Sequence, residues 1–122
     1  MPLPNLNSPT KVEGKNVLIA DVPTTASGIL VNPSGSNKTL KLSSYYVSNI
    51  DGTNACDITS YIFDNSTSAT GYLANTISVP SDASLLPLTK DSNIYIMENQ
   101  TLFARASASG DLSIILSYEE IS

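Results

Sequence analysis

The stretch from Ile94 to Ser122 constrains the fold of this chain more than any other part. It contains three short apolar runs separated by two turn-like segments, Glu98–Gln100 and Ser109–Asp111. In the later two runs small or apolar residues recur at every second position: Leu102, Ala104, Ala106 and Ala108, then Leu112, Ile114, Leu116 and Tyr118. Side chains two residues apart point the same way in an extended chain, so each run presents one apolar face. The stretch predicts three consecutive strands, with a hairpin turn at Ser109–Gly110.

The remainder of the chain repeats this pattern. Further strands are predicted over these segments: Asn16–Ala20, Gly28–Val31, Thr39–Ile50, Cys56–Phe63 and Tyr72–Val79. Turn-forming residues separate them, and Asn32–Asn37 predicts a hairpin loop. Pro87 makes Leu85–Leu88 an edge strand or a loop, because proline donates no ladder hydrogen bond. About eight short strands with regularly spaced turns indicate a sandwich or a barrel.

The longest of these strands, Thr39–Ile50, carries apolar residues in two phases. Leu40 and Leu42 share one face, whereas Tyr45 and Val47 have the opposite parity. A bulge near Ser43–Ser44, or a strand that changes sheets, reconciles the two sets.

Composition excludes several classes of function. The 122 residues contain no histidine and one cysteine, which argues against a zinc site and against nucleophilic catalysis assisted by histidine. Six basic residues and a net charge of −5 argue against a nucleic-acid partner. We expect no enzyme activity, no cofactor and no metal, and we expect Cys56 to be buried and inert. The sequence has no apolar run long enough for a membrane span, and its first residues lack the order of a signal peptide, which favours synthesis in a reducing cytoplasm.

Two groups of side chains with oxygen ligands or negative charge are candidate sites. Oxygen ligands for calcium exist at Asp51, Asn54, Asp57 and Asp64, but their spacing matches no calcium loop, and Asp and Asn are common in turns. Glu119 and Glu120 are either two solvated charges at a strand end or a pair that meets a basic surface on a partner.

Two segments are candidates for contacts with other subunits. In Tyr45–Tyr46 one ring faces each side of a strand, so we expect one to pack inward and the other to lie near a surface or interface. Residues 1–10 contain three prolines and form either a frayed tail or an extended arm on a neighbouring subunit. Leu3, Pro4 and Leu6 would supply the contacts of such an arm, and residues 11–122 would form the folded domain.

Several short phrases of the sequence resemble a group of small virion structural proteins of tailed bacteriophages. They are Val47–Ala55, Tyr72–Pro80, Ala106–Leu112 and Ser117–Ile121, and the resemblance extends over about residues 38–121. Members of the group often have Glu-Glu-Gly-Asp where this chain has Met97–Gln100, a difference confined to a turn.

The resemblance implies a β-sandwich on the outside of a virion, and with the strand pattern we expect a single-domain antiparallel β-sandwich of jelly-roll type. It further implies a cement or decoration protein, a homotrimer bound to the major capsid protein on the outer capsid surface. Attachment at the neck or tail and a carbohydrate-binding module on a fibre are the alternatives. The resemblance supplies no catalytic residues.

Overall fold

The computed structural model describes residues 11–88 and 94–122, and within these ranges the chain forms nine β-strands and no helix. The strands are β1 (Val12–Ile19), β2 (Ser27–Asn32), β3 (Thr39–Asn49), β4 (Cys56–Asp64), β5 (Ala69–Val79), β6 (Ser84–Leu88), β7 (Ile94–Ile96), β8 (Gln100–Ala106) and β9 (Leu112–Ile121). β-Branched, aromatic and serine residues dominate them, and these residues favour an extended chain over a helix. No helix able to cross a bilayer is found in the described ranges.

The strands form two antiparallel sheets. Sheet A has the order β1-β9-β3-β6, with the short β7 pairing beside β6 along the same edge of β3. Sheet B has the order β2-β8-β4-β5. With β7 set aside, the remaining eight strands have the connectivity of a jelly roll, in which the chain passes repeatedly from one sheet to the other. The predicted all-β antiparallel sandwich of jelly-roll type is confirmed.

The core lies between the two sheets. The predicted inward residues Leu102, Ala104, Ala106, Leu112, Ile114 and Leu116 are buried there, whereas Tyr118 is half-buried and Ala108 lies exposed beyond the end of β8. The largest fully buried side chains are Tyr45, Leu42, Ile58, Ile96, Leu102, Leu112, Ile114 and Leu116. Alternate residues of each strand supply this layer, as expected where two sheets pack face to face. The other parity of the strands forms the two outer faces of the sandwich.

Of the two alternatives predicted for β3, a bulge or a change of sheet, the structure shows the bulge. The pairing of β3 with β9 shifts register between Leu42 and Ser44, so that Ser43 is the extra residue. This shift changes the parity of the strand, so that Leu40 and Leu42 before the bulge and Tyr45 and Val47 after it all face the core.

The two predicted hairpins are wrong, although the turns themselves exist. Ser109–Gly110 joins β8 of sheet B to β9 of sheet A, and Asn32–Asn37 joins β2 of sheet B to β3 of sheet A. Gly110 has the predicted positive φ of 79°. Turn residues of this kind serve equally well in an arch between sheets, so the local signal was correct and the pairing inferred from it was not.

The proline-containing segment forms an edge strand, as one of the two readings predicted. β6 carries Pro87 and pairs with β3 on one side only. A register shift opposite Tyr46 accommodates the segment, and the missing proline N–H removes no bond from the interior of the sheet.

Candidate functional site

The outer face of sheet A carries an exposed apolar stripe that crosses four strands. Ile115 of β9 is paired with Leu18 of β1 on one side and with Tyr46 of β3 on the other. Leu86 of β6 lies in the register shift between the pairs Tyr45–Leu88 and Val47–Leu85, next to the part of β3 that contains Tyr46. Their exposed fractions are 71% for Leu18, 51% for Ile115, 42% for Tyr46 and 47% for Leu86. Side chains directly opposite on neighbouring strands have Cβ atoms about 5 Å apart, so the four form one continuous row, here called the sheet A stripe.

Uncharged polar rows border the stripe on both sides. Asn16, Ser117 and Ser44 form one row across β1, β9 and β3, with the Ser117 hydroxyl donating to Asn16 Oδ1 at 2.7 Å. The other row is formed by serines of β9, β3 and β6, namely Ser113, Ser48 and Ser84. An apolar centre with a neutral polar rim is the usual anatomy of a protein contact surface.

On the outer face of sheet A, charged residues first occur in the row next to Asn16, Ser117 and Ser44, on the side away from the stripe. There Glu119 is paired in register with Gly14 and Lys41. Glu119 makes no salt bridge with residues 11–88 and 94–122, and it lies at the rim of this surface.

Glu120, in contrast, is engaged within the chain. Its carboxylate accepts from Lys38 Nζ at 2.6 Å and from Lys15 Nζ at 2.9 Å, and its side chain is largely covered. The hydrogen bonds from Lys38 and Lys15 lower the pKa of Glu120. These two ion pairs link Glu120 of β9 to Lys15 of β1 and to Lys38, the residue just before β3.

The two adjacent tyrosines divide as the sequence predicted. Tyr45 is fully buried, and its hydroxyl lies 2.7 Å from Ser60 Oγ of sheet B. Burial raises the pKa of Tyr45 to about 12, against a smaller opposing effect of the hydrogen bond with Ser60. A buried ring offers no area to a second molecule, so Tyr45 belongs to the core of the sandwich, whereas Tyr46 belongs to the sheet A stripe.

The residues proposed for the arm, Leu3, Pro4 and Leu6, lie outside the described residues. The described chain begins at Lys11, whose backbone exchanges two hydrogen bonds with Ser122. Anything preceding Lys11 therefore joins the domain beside the C-terminal end of β9, at the end of sheet A that also holds Glu119 and Glu120.

The four candidate calcium ligands are not brought together. Asp57 and Asp64 lie near opposite ends of β4, and seven residues of extended chain separate them by about 23 Å. Asp51 accepts hydrogen bonds from Thr53 N and Asn54 Nδ2, and Asp64 accepts from Ser66 N and Gln100 Nε2. Across the described ranges no three acidic or cysteine side chains cluster as metal ligands would.

Sequence reasoning missed three members of the stripe, Leu18, Ile115 and Leu86. The signal was present, because each lies next to a residue that packs against or within the core. Examples are Val17-Leu18-Ile19 and Ile114-Ile115-Leu116. An apolar residue that breaks the alternation of a strand must lie on the outer face.

No protein-family model matches this chain, and no curated protein matches it.

Among solved structures, the chain is similar to a protein described under "Bacillus endospore appendages form a novel family of disulfide-linked pili", with 17% identity and a TM-score of 0.54. That alignment covers 97% of this chain and 94% of the other. Two structures of a pentameric capsid protein isolated from metagenomic phage sequences align with 84% of this chain at 18% and 19% identity, with TM-scores of 0.43 and 0.45. The chain spans 59% and 60% of the length of those capsid chains. The likeness to the appendage protein is one of fold.

Proposed function

We propose that this protein is a virion structural protein of a tailed phage, a cement or decoration protein that binds the outer capsid surface through the sheet A stripe. The observation that carries the proposal is an apolar row of four exposed side chains bordered on both sides by uncharged polar residues. Contiguous exposed apolar area of this kind marks an interaction surface, whereas isolated exposed apolar residues do not. The resemblance of the sequence to small virion proteins supports the same assignment, and the role is passive, without catalysis.

The contact between the stripe and the capsid is weak for a single copy, and many copies on one shell together give firm attachment. A fully covered Leu or Ile side chain contributes about 1.5–3 kcal/mol, and the stripe residues begin only half-exposed to about three-quarters exposed. One copy therefore gains only a few kcal/mol from the stripe. Repetition around closed symmetry axes of a shell converts such contacts into firm attachment.

Self-association into a trimer completes the proposal. Residues 1–10 would extend from the β1 end of sheet A and place Leu3, Pro4 and Leu6 on a neighbouring subunit, with Glu119 at the rim of the same contact. The position of Lys11 beside Ser122 supports this placement, because it attaches residues 1–10 to the domain at the end of sheet A that holds Glu119.

The assembly proposed here is non-covalent. The appendage protein with the similar fold is described as forming disulfide-linked pili, but the single cysteine of this sequence, Cys56, is buried, with Sγ 3.3 Å from Ser107 Oγ. A buried thiol cannot reach a second chain without local unfolding.

Copy number in purified virions tests the proposed location. A capsid cement protein is expected at a copy number on the order of hundreds per particle, close to that of the major capsid protein, because it follows the symmetry of the shell. Quantitative mass spectrometry of intact particles measures this ratio. A handful of copies per particle would place the protein at the neck, tail or fibre and reject the cement role.

Substitution in the stripe tests the surface itself. The double variant Leu18→Ser/Ile115→Ser is expected to weaken binding to shells by about 10- to 100-fold, since two half-covered apolar contacts are lost. Co-sedimentation of variants with shells stripped of this protein measures the loss.

The matched control is Ile77→Ser, which removes an apolar side chain exposed to 41% on the opposite sheet. It should bind as the unmodified chain does, and thermal melts of both variants report on folding. A protein lacking residues 1–10, tested in parallel, should remain folded and be retained less well if the arm contributes. Equal weakening by Ile77→Ser and by the double variant would contradict the assignment to sheet A.

A further inference from the structure

The outer face of sheet B carries a row of aromatic rings that the sequence scatters over 43 positions. Phe103 of β8, Tyr61 of β4 and Tyr72 of β5 are paired in register across three neighbouring strands. The ring centroids of Tyr61 and Phe103 are 5.2 Å apart at an interplanar angle of 19°, and those of Tyr61 and Tyr72 are 5.4 Å apart at 58°. The six tyrosines and two phenylalanines of the chain, which look dispersed in the sequence, therefore include a compact cluster.

The cluster lies in an open groove of about 750 Å³. Phe63 adds a fourth ring, and residues 24–26, just before β2, form the other wall. This volume falls in the range of small-ligand sites in proteins. Because the strands are about 4.8 Å apart, three successive rings span roughly 10 Å, a length suited to a short chain of sugar units.

One ring is presented to solvent. Tyr72 is 57% exposed and is tilted from Tyr61, so its outer face is uncovered. Tyr61 and Phe103 are half-buried and stack on one another, which holds the row in place at little cost in side-chain entropy when a ligand arrives.

Polar donors line the same groove. The guanidinium of Arg105 makes no hydrogen bond or salt bridge to the part of the chain that the structure describes, and it is the only charged residue lining the groove. Thr59 is paired in register with Arg105, but it is buried and its hydroxyl accepts from Thr76 N. Thr70 lines the groove on the other side of the aromatic row, where it is paired with Phe63, and Tyr61 and Tyr72 carry the other hydroxyls of the lining. Arginine carries five N–H donors in a fixed geometry, which suits pairs of neighbouring oxygen acceptors.

We propose that this groove binds a neutral oligosaccharide built of hexopyranose units. The two faces of a pyranose ring are largely C–H and pack on aromatic rings, while its rim carries hydroxyls that accept from Arg105 and exchange hydrogen bonds with threonine. The sheet A stripe differs in both respects, since it is mainly aliphatic and is bordered by serines that pair with neighbours on the same face. A chain of net charge −5 repels acidic sugars at long range, so the ligand is neutral. The inference does not depend on the capsid assignment.

Titration of the full chain with defined sugars tests the proposal. The probes are cellotriose, maltotriose, laminaritriose, chitotriose and mannotriose, with sialyllactose as the acidic comparison, and the readout is the ¹H–¹⁵N NMR spectrum. At least one neutral trisaccharide is expected to bind with a Kd between about 10 μM and a few mM, with shifts centred on the amides of Tyr61, Tyr72 and Phe103. The binding should be insensitive to salt.

Variants separate the groove from the rest of the surface. Tyr72→Ala is expected to raise the Kd at least tenfold and Arg105→Gln severalfold, whereas Tyr72→Phe, which keeps the ring, should stay within about threefold. Tyr46→Ala on the opposite sheet should leave sugar binding unchanged, and Tyr72→Ala should leave shell binding unchanged. The amide spectrum of each variant shows whether it is folded.

Three results would overturn the proposal. The first is that no neutral probe at about 10 mM shifts the amide signals of the groove residues. The second is that only sialyllactose binds and that salt abolishes its binding. The third is that a neutral probe still shifts these amide signals in folded Tyr72→Ala. Each of these leaves the capsid assignment untouched, because that assignment concerns sheet A.

Discussion

Replacement of Asn49 by alanine is expected to lower the free energy of unfolding by about 2–4 kcal/mol. Asn49 ends β3 and is almost fully buried. Its Nδ2 donates to Val79 O and to Asn54 O, both at 2.9 Å, and its Oδ1 accepts from Asp51 N at 2.9 Å. One side chain thus joins the end of β5 in sheet B to the loop that leaves sheet A. Alanine would leave Val79 O, Asn54 O and Asp51 N without these hydrogen bonds. A buried polar group that loses its partner incurs its full desolvation cost.

Urea unfolding followed by circular dichroism measures the effect. The matched control is Asn54→Ala, since the exposed Asn54 side chain makes only a 3.4 Å contact with Asp51 while its backbone carbonyl still accepts from Asn49. It should change stability by no more than about 0.5 kcal/mol. Equal losses in the two variants would mean that the Asn49 amide does not organise this end of the sandwich.

Raising the pH above 10 is expected to destabilise the protein through Tyr45, by about 1.4 kcal/mol per pH unit up to pH 12. The pKa of Tyr45 is raised to about 12 in the folded protein by burial, whereas an unfolded tyrosine ionises near 10. Between these values the unfolded chain loses the proton first, so it binds fewer protons than the folded chain, and stability falls as pH rises. The contribution is fully present below pH 10.

The Tyr45→Phe variant isolates this effect from the other tyrosines. At neutral pH it should be less stable by about 1–2 kcal/mol, because the hydroxyl pair with Ser60 that joins the sheets is lost. Above pH 10 its stability should fall less steeply than that of the unmodified chain, and the two curves should converge. Parallel curves from pH 8 to 11, measured by urea unfolding, would show that the Tyr45 hydroxyl ionises as easily in the folded state as in the unfolded chain.

Most of the strands were predictable because their cause is local. Alternation in Leu112, Ile114 and Leu116 predicted β9 and its buried face. Pro87 predicted an edge strand or a loop, and β6 is an edge strand. The two phases of apolar residues in β3 predicted a bulge, which the structure places at Ser43. In each case the information lies within a few neighbouring residues, where periodicity and backbone chemistry act directly.

Pairing was less predictable. Asn32–Asn37 and Ser109–Gly110 have the composition of hairpin turns, yet both cross between sheets. Asparagine is a common turn residue, yet Asn49 is buried and its side chain donates hydrogen bonds to backbone carbonyls 5 and 30 residues away. A turn sequence determines the local path of the backbone, whereas the partner of the next strand is selected by contacts distant in sequence.

The amino-acid sequence by itself determined that this protein is built from short strands with a polar, weakly charged exterior. It also determined that histidine-based chemistry is absent, because the chain contains no histidine. Only the tertiary structure decided which side chains meet on its surfaces. Leu18, Tyr46 and Ile115 become one stripe, and Tyr61, Tyr72 and Phe103 become one groove, through strand register. The physical reason is that alternation assigns each residue to a face, while its neighbours on that face come from other strands, aligned by hydrogen bonds that no local stretch of sequence encodes.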